Sequence, residues 1–376
     1  MSNWIVLGAT VVPAFLVSVV LVAWVRRAAE RLGLLDRPGH RKVHTTPIPL
    51  GGGIGIWGGV VATFLAGTIA VYVGNENASW LPTIAKTHLA GMRSQCQELW
   101  LLLAGGTVLM LLGLADDRKG LDWRIRLGVE FAVAACVVYG QGLQLTAFIH
   151  LPWFTGLLSI IWIVALINSF NMLDNMDGLS GGVAAIAGGS LAAMLLFSPV
   201  DTSSQPQIFV ASMLLVLVGS LLGFLVHNSP PARIFMGDAG SYFVGYWIAI
   251  ATLLATYSGY QGKTQHAILA PLCVLAIPLY DMVSVILIRL SEGRSPFEGD
   301  KRHFSHRLVD HGLSKKGAVW TIYLATLTCS LGAILLPRTD WIGAILIVLI
   351  VASTLGLIAI LEHRALLGSK SNERQP

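Results

Sequence analysis

The sequence predicts an all-α membrane protein, a polytopic bundle of about eleven transmembrane helices, on three observations. Hydrophobic residues make up 55% of the 376 and charged residues only 12%, about half the roughly 25% charged of an ordinary soluble domain. Apolar stretches of about 20 residues, the length that crosses a hydrocarbon core, recur from one end of the chain to the other. The basic residues crowd into alternate connections between those stretches.

The first stretch, near 3–25, is followed by Arg26 and Arg27 with no small-residue cleavage site, so it reads as a retained helix. The second, 50–73, begins with Gly51, Gly55 and Gly59 at four-residue spacing, a pattern of close helix packing. The others lie near 98–115, 125–141, 153–170, 181–198, 207–227, 239–257, 267–289, 316–337 and 340–361, with the region 115–141 the least distinct. Segment 74–97 is long enough for a small interfacial helix. "QGLQLTAFIHLP" alternates as a short strand would, and "SPVDTSSQPQ" is a turn-rich linker. No internal repeat is evident, and 1–376 reads as one integral-membrane domain. Cys96, Cys136, Cys273 and Cys329 are scattered, which favours neither a disulfide framework nor a zinc site.

With the N-terminus outside, segments 26–49, 116–126, 227–238, 289–316 and 362–376 hold 21 of the 25 Lys and Arg residues. The outer side keeps only Lys86, Arg93, Lys263 and Arg338. The positive-inside rule then predicts a multi-pass protein of the inner (plasma) membrane, N-terminus out and C-terminus in. The net charge of +5 is first a topology signal. Dispersed over several loops, it predicts no nucleic-acid partner.

All the unusual polar segments fall on that inner side. In "GLADDRKG", Asp116 and Asp117 are adjacent at a membrane boundary. Paired carboxylates repel unless a cation intervenes, so they are candidates for Mg²⁺-phosphate chemistry; a solvated helix end is the alternative. In "NSFNMLDNMDGLSGG", Asn168, Asn171, Asp174 and Asp177 fall at every third position and, if helical, wind round the helix rather than hiding on one face. Acids there are costly and favour function, while the two amides are also fit for bonding between helices. Gly178, Gly181 and Gly182 are expected to unwind the chain. "FMGDAGS" sets Asp238 between glycines, as a ligand or as a simple helix cap. Lys42 and His44 stand beside a proline-stiffened turn, and Asp281, two turns before Arg289, suits either an ion contact or the inner cavity. In the 291–316 loop, His303, His306, Arg307 and Asp310 would share one helical face. A belt for lipid headgroups is the competing reading of that loop.

Taken in order, "GLADD", "NSFNMLDNMDGLSGG", "IFMGDAGS" and "GRSPFEGDKRHFSHRL" resemble the polyprenyl-phosphate N-acetylhexosamine-1-phosphate transferases, glycosyltransferase family 4, over about 42–313. The resemblance implies a cytoplasm-facing cleft and, often, a homodimer. It implies transfer of N-acetylhexosamine-1-phosphate, foremost GlcNAc-1-phosphate, from a UDP-sugar to undecaprenyl phosphate with release of UMP. The implied cofactor is Mg²⁺, with Mn²⁺ as a substitute. Carried across, Asp238 is the leading metal ligand with Asp117, while Asn171, Asp174 and Asp177 line the nucleotide-metal site. Asp116 and Asp117 lie near the acceptor phosphate, one of them as general base. Lys42, His44 and Asn168 join the substrate-binding set, and in the last loop Arg302 and Arg307 meet phosphate while His303 and His306 meet the sugar. The text resembles the branch that initiates cell-envelope polysaccharide and teichoic linkage. Ser305 departs from that branch's usual His-x-His-His, so another UDP-sugar, UDP-MurNAc-pentapeptide included, stays open. A secondary transporter is the alternative from another class, though its site belongs at the midplane between repeats. A CDP-alcohol phosphotransferase would need a signature helix that is absent.

Overall fold

A computed structural model describes residues 2–36, 47–75, 77–79, 81, 83–145, 151–197, 207–259, 265–300 and 302–372. Among these residues thirteen α-helices follow one another: α1 (Ser2–Ala28), α2 (Gly52–Val73), α3 (Thr83–Lys119), α4 (Trp123–Gly140), α5 (Pro152–Leu173), α6 (Leu179–Phe197) and α7 (Ile208–Asn228), then α8 (Gly237–Gly259), α9 (Ala270–Val274), α10 (Ala276–Ser291), α11 (Phe304–Asp310), α12 (Lys315–Leu335) and α13 (Trp341–Asn372). One small ribbon, β1 (Leu35–Asp36) against β2 (Ile48–Pro49), runs antiparallel with Leu35 opposite Pro49.

Eight of the helices are long and apolar enough to cross a membrane, nine if the bent pair His266–Val274 and Ala276–Ser291 counts as one span. The expected spans 125–141 and 239–257 are helices α4 and α8. Helix α4 carries Arg124, Arg126 and Glu130 at its start. Helix α8 is enclosed by protein: Tyr242, Phe243, Tyr246 and Trp247 are all buried. The bend of 65° at Leu275 has a covalent cause, since Pro278 has no N–H to give the Val274 carbonyl. Segment 74–97 does not form a separate interfacial helix; from Thr83 it is continuous with α3, which runs 37 residues or about 55 Å. The strand expected in 141–152 falls partly outside the described residues.

The buried donors of α8 are satisfied, as polar groups in a membrane interior must be. Trp247 Nε1 donates to the Met213 carbonyl at 3.0 Å and Tyr246 Oη to that of Leu102 at 3.0 Å. Two glycines let backbones touch around the start of this helix. A Cβ at Gly113 of α3 would sit 2.4 Å from the Asp238 carbonyl oxygen, and one at Gly53 of α2 would sit 2.1 Å from the Gly240 nitrogen. Gly55 and Gly59 pack against Val22 and Ser220, in keeping with the packing predicted for that spacing. These contacts draw the ends of α2, α3 and α8 that bear the polar motifs to a single place.

Candidate active site

Helix α3 ends in the acidic pair. Asp117 accepts from the Asp238 N–H at 2.9 Å and the Ala239 N–H at 3.2 Å, one bond to each carboxylate oxygen. It therefore caps α8, whose first N–H groups have no partner within the helix and whose positive dipole end favours a carboxylate. Asp116 is buried and occupied differently: it accepts from Leu121 N–H at 2.6 Å, Arg126 Nη1 at 2.9 Å and Tyr242 Oη at 2.9 Å. Each Asp117 oxygen accepts one bond and keeps a second lone pair, and this carboxylate is half-buried, so Asp117 can still serve beside Asp238 as an expected metal ligand.

Helix α5 stops at Leu173 and Gly178 takes φ +77°, so the polar stripe divides. Asn168 and Asn171 are helical while Asp174 and Asp177 lie in the turn beyond. The unwinding expected at Gly181 and Gly182 does not occur; both are helical in α6. Asn168 bonds between helices, donating to Glu130 Oε2 on α4 at 2.6 Å. Asn171 reaches the site, donating to Asp238 Oδ1 at 2.6 Å and approaching Ser241 Oγ at 3.1 Å. Asp177 accepts from Ala232 N–H at 2.9 Å and Asn228 from Gly178 N–H at 2.9 Å, which ties the turn to the segment leading into α8. Asp174 accepts from Gly237 N–H and is pushed up to about 7, chiefly by burial and then by the charge of Asp117. Asp174, Asp177, Asn171 and Asp238 are only half-buried, unlike Asp116. A ligand can reach them.

The last loop lies against the same end of the bundle. Asp281 pairs not with Arg289 but with α11, accepting from His303 Nδ1 at 3.0 Å and Phe304 N–H at 2.6 Å. Arg289 instead holds Asp300 through two nitrogens, at 3.1 and 3.2 Å. Burial works against the Asp300 charge, but Arg289 and the Arg302 N–H outweigh it and hold this carboxyl below the usual range. Ser305, buried, donates to Asn175 in the acidic turn. Arg307 is buried too, beside Glu362 of α13. The shared face expected for His303, His306, Arg307 and Asp310 is therefore not one open surface. Arg302 is exposed and pairs with Glu292 at 3.0 Å, and Trp123 stacks on Phe297 with ring centroids 3.9 Å apart, joining α4 to the loop. Lys42 and His44 lie outside the described residues.

Several members of this network were not singled out from the sequence: Arg126, Glu130, Asn175, Tyr242 and Glu362. Tyr242 follows directly on "FMGDAGS" and Asn175 sits inside "DNMDG". Arg126 lies ten residues past its partner Asp116 with no motif to mark it, while Glu130 and Glu362 meet partners 38 and 82 residues away.

Among the described residues no three His, Cys, Asp or Glu side chains form a group that could hold a metal. That does not conflict with Mg²⁺, which binds through one or two carboxylates plus substrate phosphates and water. Asp174 and the remaining capacity of Asp238 make such a donor set, beside Asn171. The chemistry of these donors, all oxygen with no sulfur or imidazole among them, fits a hard cation that arrives with a diphosphate.

Acidic ends of several helices, opening on one face of a membrane bundle and flanked by a basic loop, define a polytopic membrane enzyme acting on phosphorylated substrates. The profile described as glycosyl transferase family 4 matches residues 99–256. A protein of Bacillus subtilis (strain 168), "Probable undecaprenyl-phosphate N-acetylglucosaminyl 1-phosphate transferase", is 31% identical over 354 residues, 91% of this chain and 89% of its own. The "Undecaprenyl-phosphate alpha-N-acetylglucosaminyl 1-phosphate transferase" of Escherichia coli (strain K12) is 30% identical over 88% of this chain and 84% of its own. The "Decaprenyl-phosphate N-acetylglucosaminephosphotransferase" of Mycobacterium tuberculosis (strain ATCC 25618 / H37Rv) is 30% identical over 90% and 85%. The chain belongs to the polyprenyl-phosphate N-acetylglucosamine-1-phosphate transferase family, and is a glycosyl-1-phosphate transferase.

Proposed function

We propose that this protein transfers N-acetylglucosamine-1-phosphate from UDP-N-acetylglucosamine to undecaprenyl phosphate, with Mg²⁺, at the cytoplasmic face of the plasma membrane, and so initiates a cell-envelope polysaccharide. The observation that carries the reading is similarity along nearly the whole chain to relatives named for this sugar and a polyprenyl phosphate. An acceptor phosphate oxygen attacks the donor's β-phosphorus. A new P–O–P bond forms, the bond from the β-phosphorus to the bridging oxygen breaks, and its electron pair leaves on UMP.

The acceptor is a phosphate monoester with a second pKa of about 6, already mostly dianionic at neutral pH, so the step needs no base. This accords with Asp116, which is held by Arg126 and Tyr242 and poorly placed to take a proton. Bound Mg²⁺ would neutralise the diphosphate and the charge that builds on it in the transition state. Asp174 and Asp238 are the residues to hold it. Asn171 orients Asp238, Asp117 fixes the start of the helix that carries it, and Asp177 anchors the segment before that helix. Arg302 and His306 lie on the loop that meets the donor.

The test is to give the purified protein labelled UDP-N-acetylglucosamine, undecaprenyl phosphate and Mg²⁺ and to look for label in lipid. EDTA should abolish transfer and Mn²⁺ restore part of it. No lipid-linked label from any member of a UDP-sugar panel would overturn the reading. In the same assay, half-activation should need about tenfold more Mg²⁺ at pH 6 than at pH 8. Asp174, titrating near 7, holds a proton in the way of the cation below that pH and releases it above. A flat Mg²⁺ requirement across that range would count against Asp174 as a ligand.

We also place the N-terminus outside and the site inside. In a cysteine-free background, an impermeant thiol reagent on intact cells should label Ser94→Cys and spare Ser295→Cys, both positions being exposed. Labelling of position 295 alone would reverse the orientation.

A further inference from the structure

The geometry points to Glu362, near the inner end of the last helix, as a positioning residue for the donor site, acting through Arg307. This rests on the reading above that α11 meets the UDP-sugar. Three polar anchors hold that short helix: His303 on Asp281, Ser305 on Asn175 and Arg307 on Glu362.

The third anchor ties in the most distant piece of chain. Arg307 Nε lies 3.0 Å from Glu362 Oε1, while its other nitrogens donate to Ser284 Oγ at 2.8 Å and to the Arg302 carbonyl. Tyr280 Oη donates to the second Glu362 oxygen at 2.7 Å, and His311 Nε2 lies 3.2 Å from the Leu361 carbonyl. One guanidinium thus joins α10, the backbone entering α11, and α13. The Arg302 carbonyl immediately precedes His303, so the same guanidinium fixes where α11 begins and how it carries His303 and His306. Arg307 and Glu362 are both buried. Arg307 is built as a hub: hydrogen bonds tie it to Ser284 and the Arg302 carbonyl, and Glu362 supplies the charge beside it.

The decisive variant is Glu362→Gln, because the two roles open to Arg307 predict opposite signs. If Arg307 grips a donor phosphate, neutralising Glu362 frees its charge, and binding of UDP-N-acetylglucosamine tightens or stays level. If Arg307 positions α11, the donor Kd measured by titration calorimetry rises roughly tenfold, the usual consequence of losing a charge-assisted contact. The undecaprenyl phosphate Kd should stay within about twofold. Removing one partner of a buried ion pair is also destabilising, whereas replacing both with apolar side chains is often tolerated. Arg307→Met with Glu362→Met is therefore measured alongside. It should melt near the wild-type temperature and still bind donor weakly.

Unchanged or tighter donor binding in Glu362→Gln overturns the inference. So does equal weakening for both ligands, or recovery of donor affinity in the double Met variant. Wild-type protein that binds UDP-N-acetylglucosamine but transfers nothing would sink the proposed reaction and leave this test standing. Wild-type protein that binds no UDP-sugar would overturn both.

Discussion

Asp238→Asn should abolish turnover while leaving the fold intact. The substitution keeps size and shape, and the surroundings can accept it. An asparagine oxygen still takes the hydrogen bond from Asn171 that now falls on Asp238 Oδ1 at 2.6 Å. Its amide can face Asp116, whose charge now lies beside the Asp238 carboxylate. The Asp238 backbone N–H, held by Asp117 at 2.9 Å, does not change at all. What is lost is a formal charge, which a hard cation prefers in its ligands. Losing electrostatic stabilisation of this kind costs about a hundredfold to a thousandfold in kcat. The check is kcat beside a melting curve in detergent. Near-wild-type turnover at ordinary Mg²⁺ would leave Asp238 as no more than an acid in the first turn of a helix.

Gly113→Ala should be nearly as damaging by a steric route. The added carbon would lie 2.4 Å from both the Asp238 carbonyl and the Ala239 nitrogen, and it meets backbone, which cannot rotate away as a side chain can. Forcing α3 and α8 apart should destabilise the protein by about 1–3 kcal/mol, as overpacking generally does. It also moves Asp117 off the N–H groups it caps. Displacements of about 1 Å at a reacting centre can cost a hundredfold, so kcat should fall by at least about tenfold even at temperatures where the variant is folded. The control is Gly120→Ala, where open space surrounds the added carbon but the backbone has φ +63°. Strain there should lower stability without touching the α3–α8 seam. Equal kcat in the two variants at matched folded fraction would refute the steric argument.

The bundle is legible because hydropathy reports directly which stretches can lie in lipid, but it does not report which spans are wrapped by protein. Helix α8 shows this: its length is evident, while its enclosure by other helices depends on contacts far away in sequence. The active-site motifs were legible as acidic text at membrane boundaries, which a chain rarely carries without reason. Their division of labour was not. Asp116 and Asp117 are neighbours in sequence, yet one meets Arg126 and Tyr242 and the other meets the N–H groups of α8. No spacing rule separates them: both reach α8, Asp117 at its first N–H groups and Asp116 at Tyr242 a turn further on, where Arg126 of α4 joins it. The surroundings of Arg307 are hidden for a related reason: a cation in a polar loop suggests an anionic ligand, and nothing near it in sequence announces the Glu362 carboxylate beside it.

The enclosure of α8 also bears on how the protein is made. A segment whose polar groups, those of Asp238, Tyr242, Tyr246 and Trp247 among them, find their partners on other helices gains little by leaving the insertion machinery alone. Its favourable surroundings are other parts of the same chain: α3 and α2 through the glycine contacts, α5 through Asn171 and α7 through Met213. All four precede it in synthesis, so α8 can be received by a surface already present in the bilayer. Asp238 rides at its leading end, and the catalytic centre comes into being at the moment that helix is seated. A nascent chain halted before Gly237 would have most of its membrane spans and none of its chemistry.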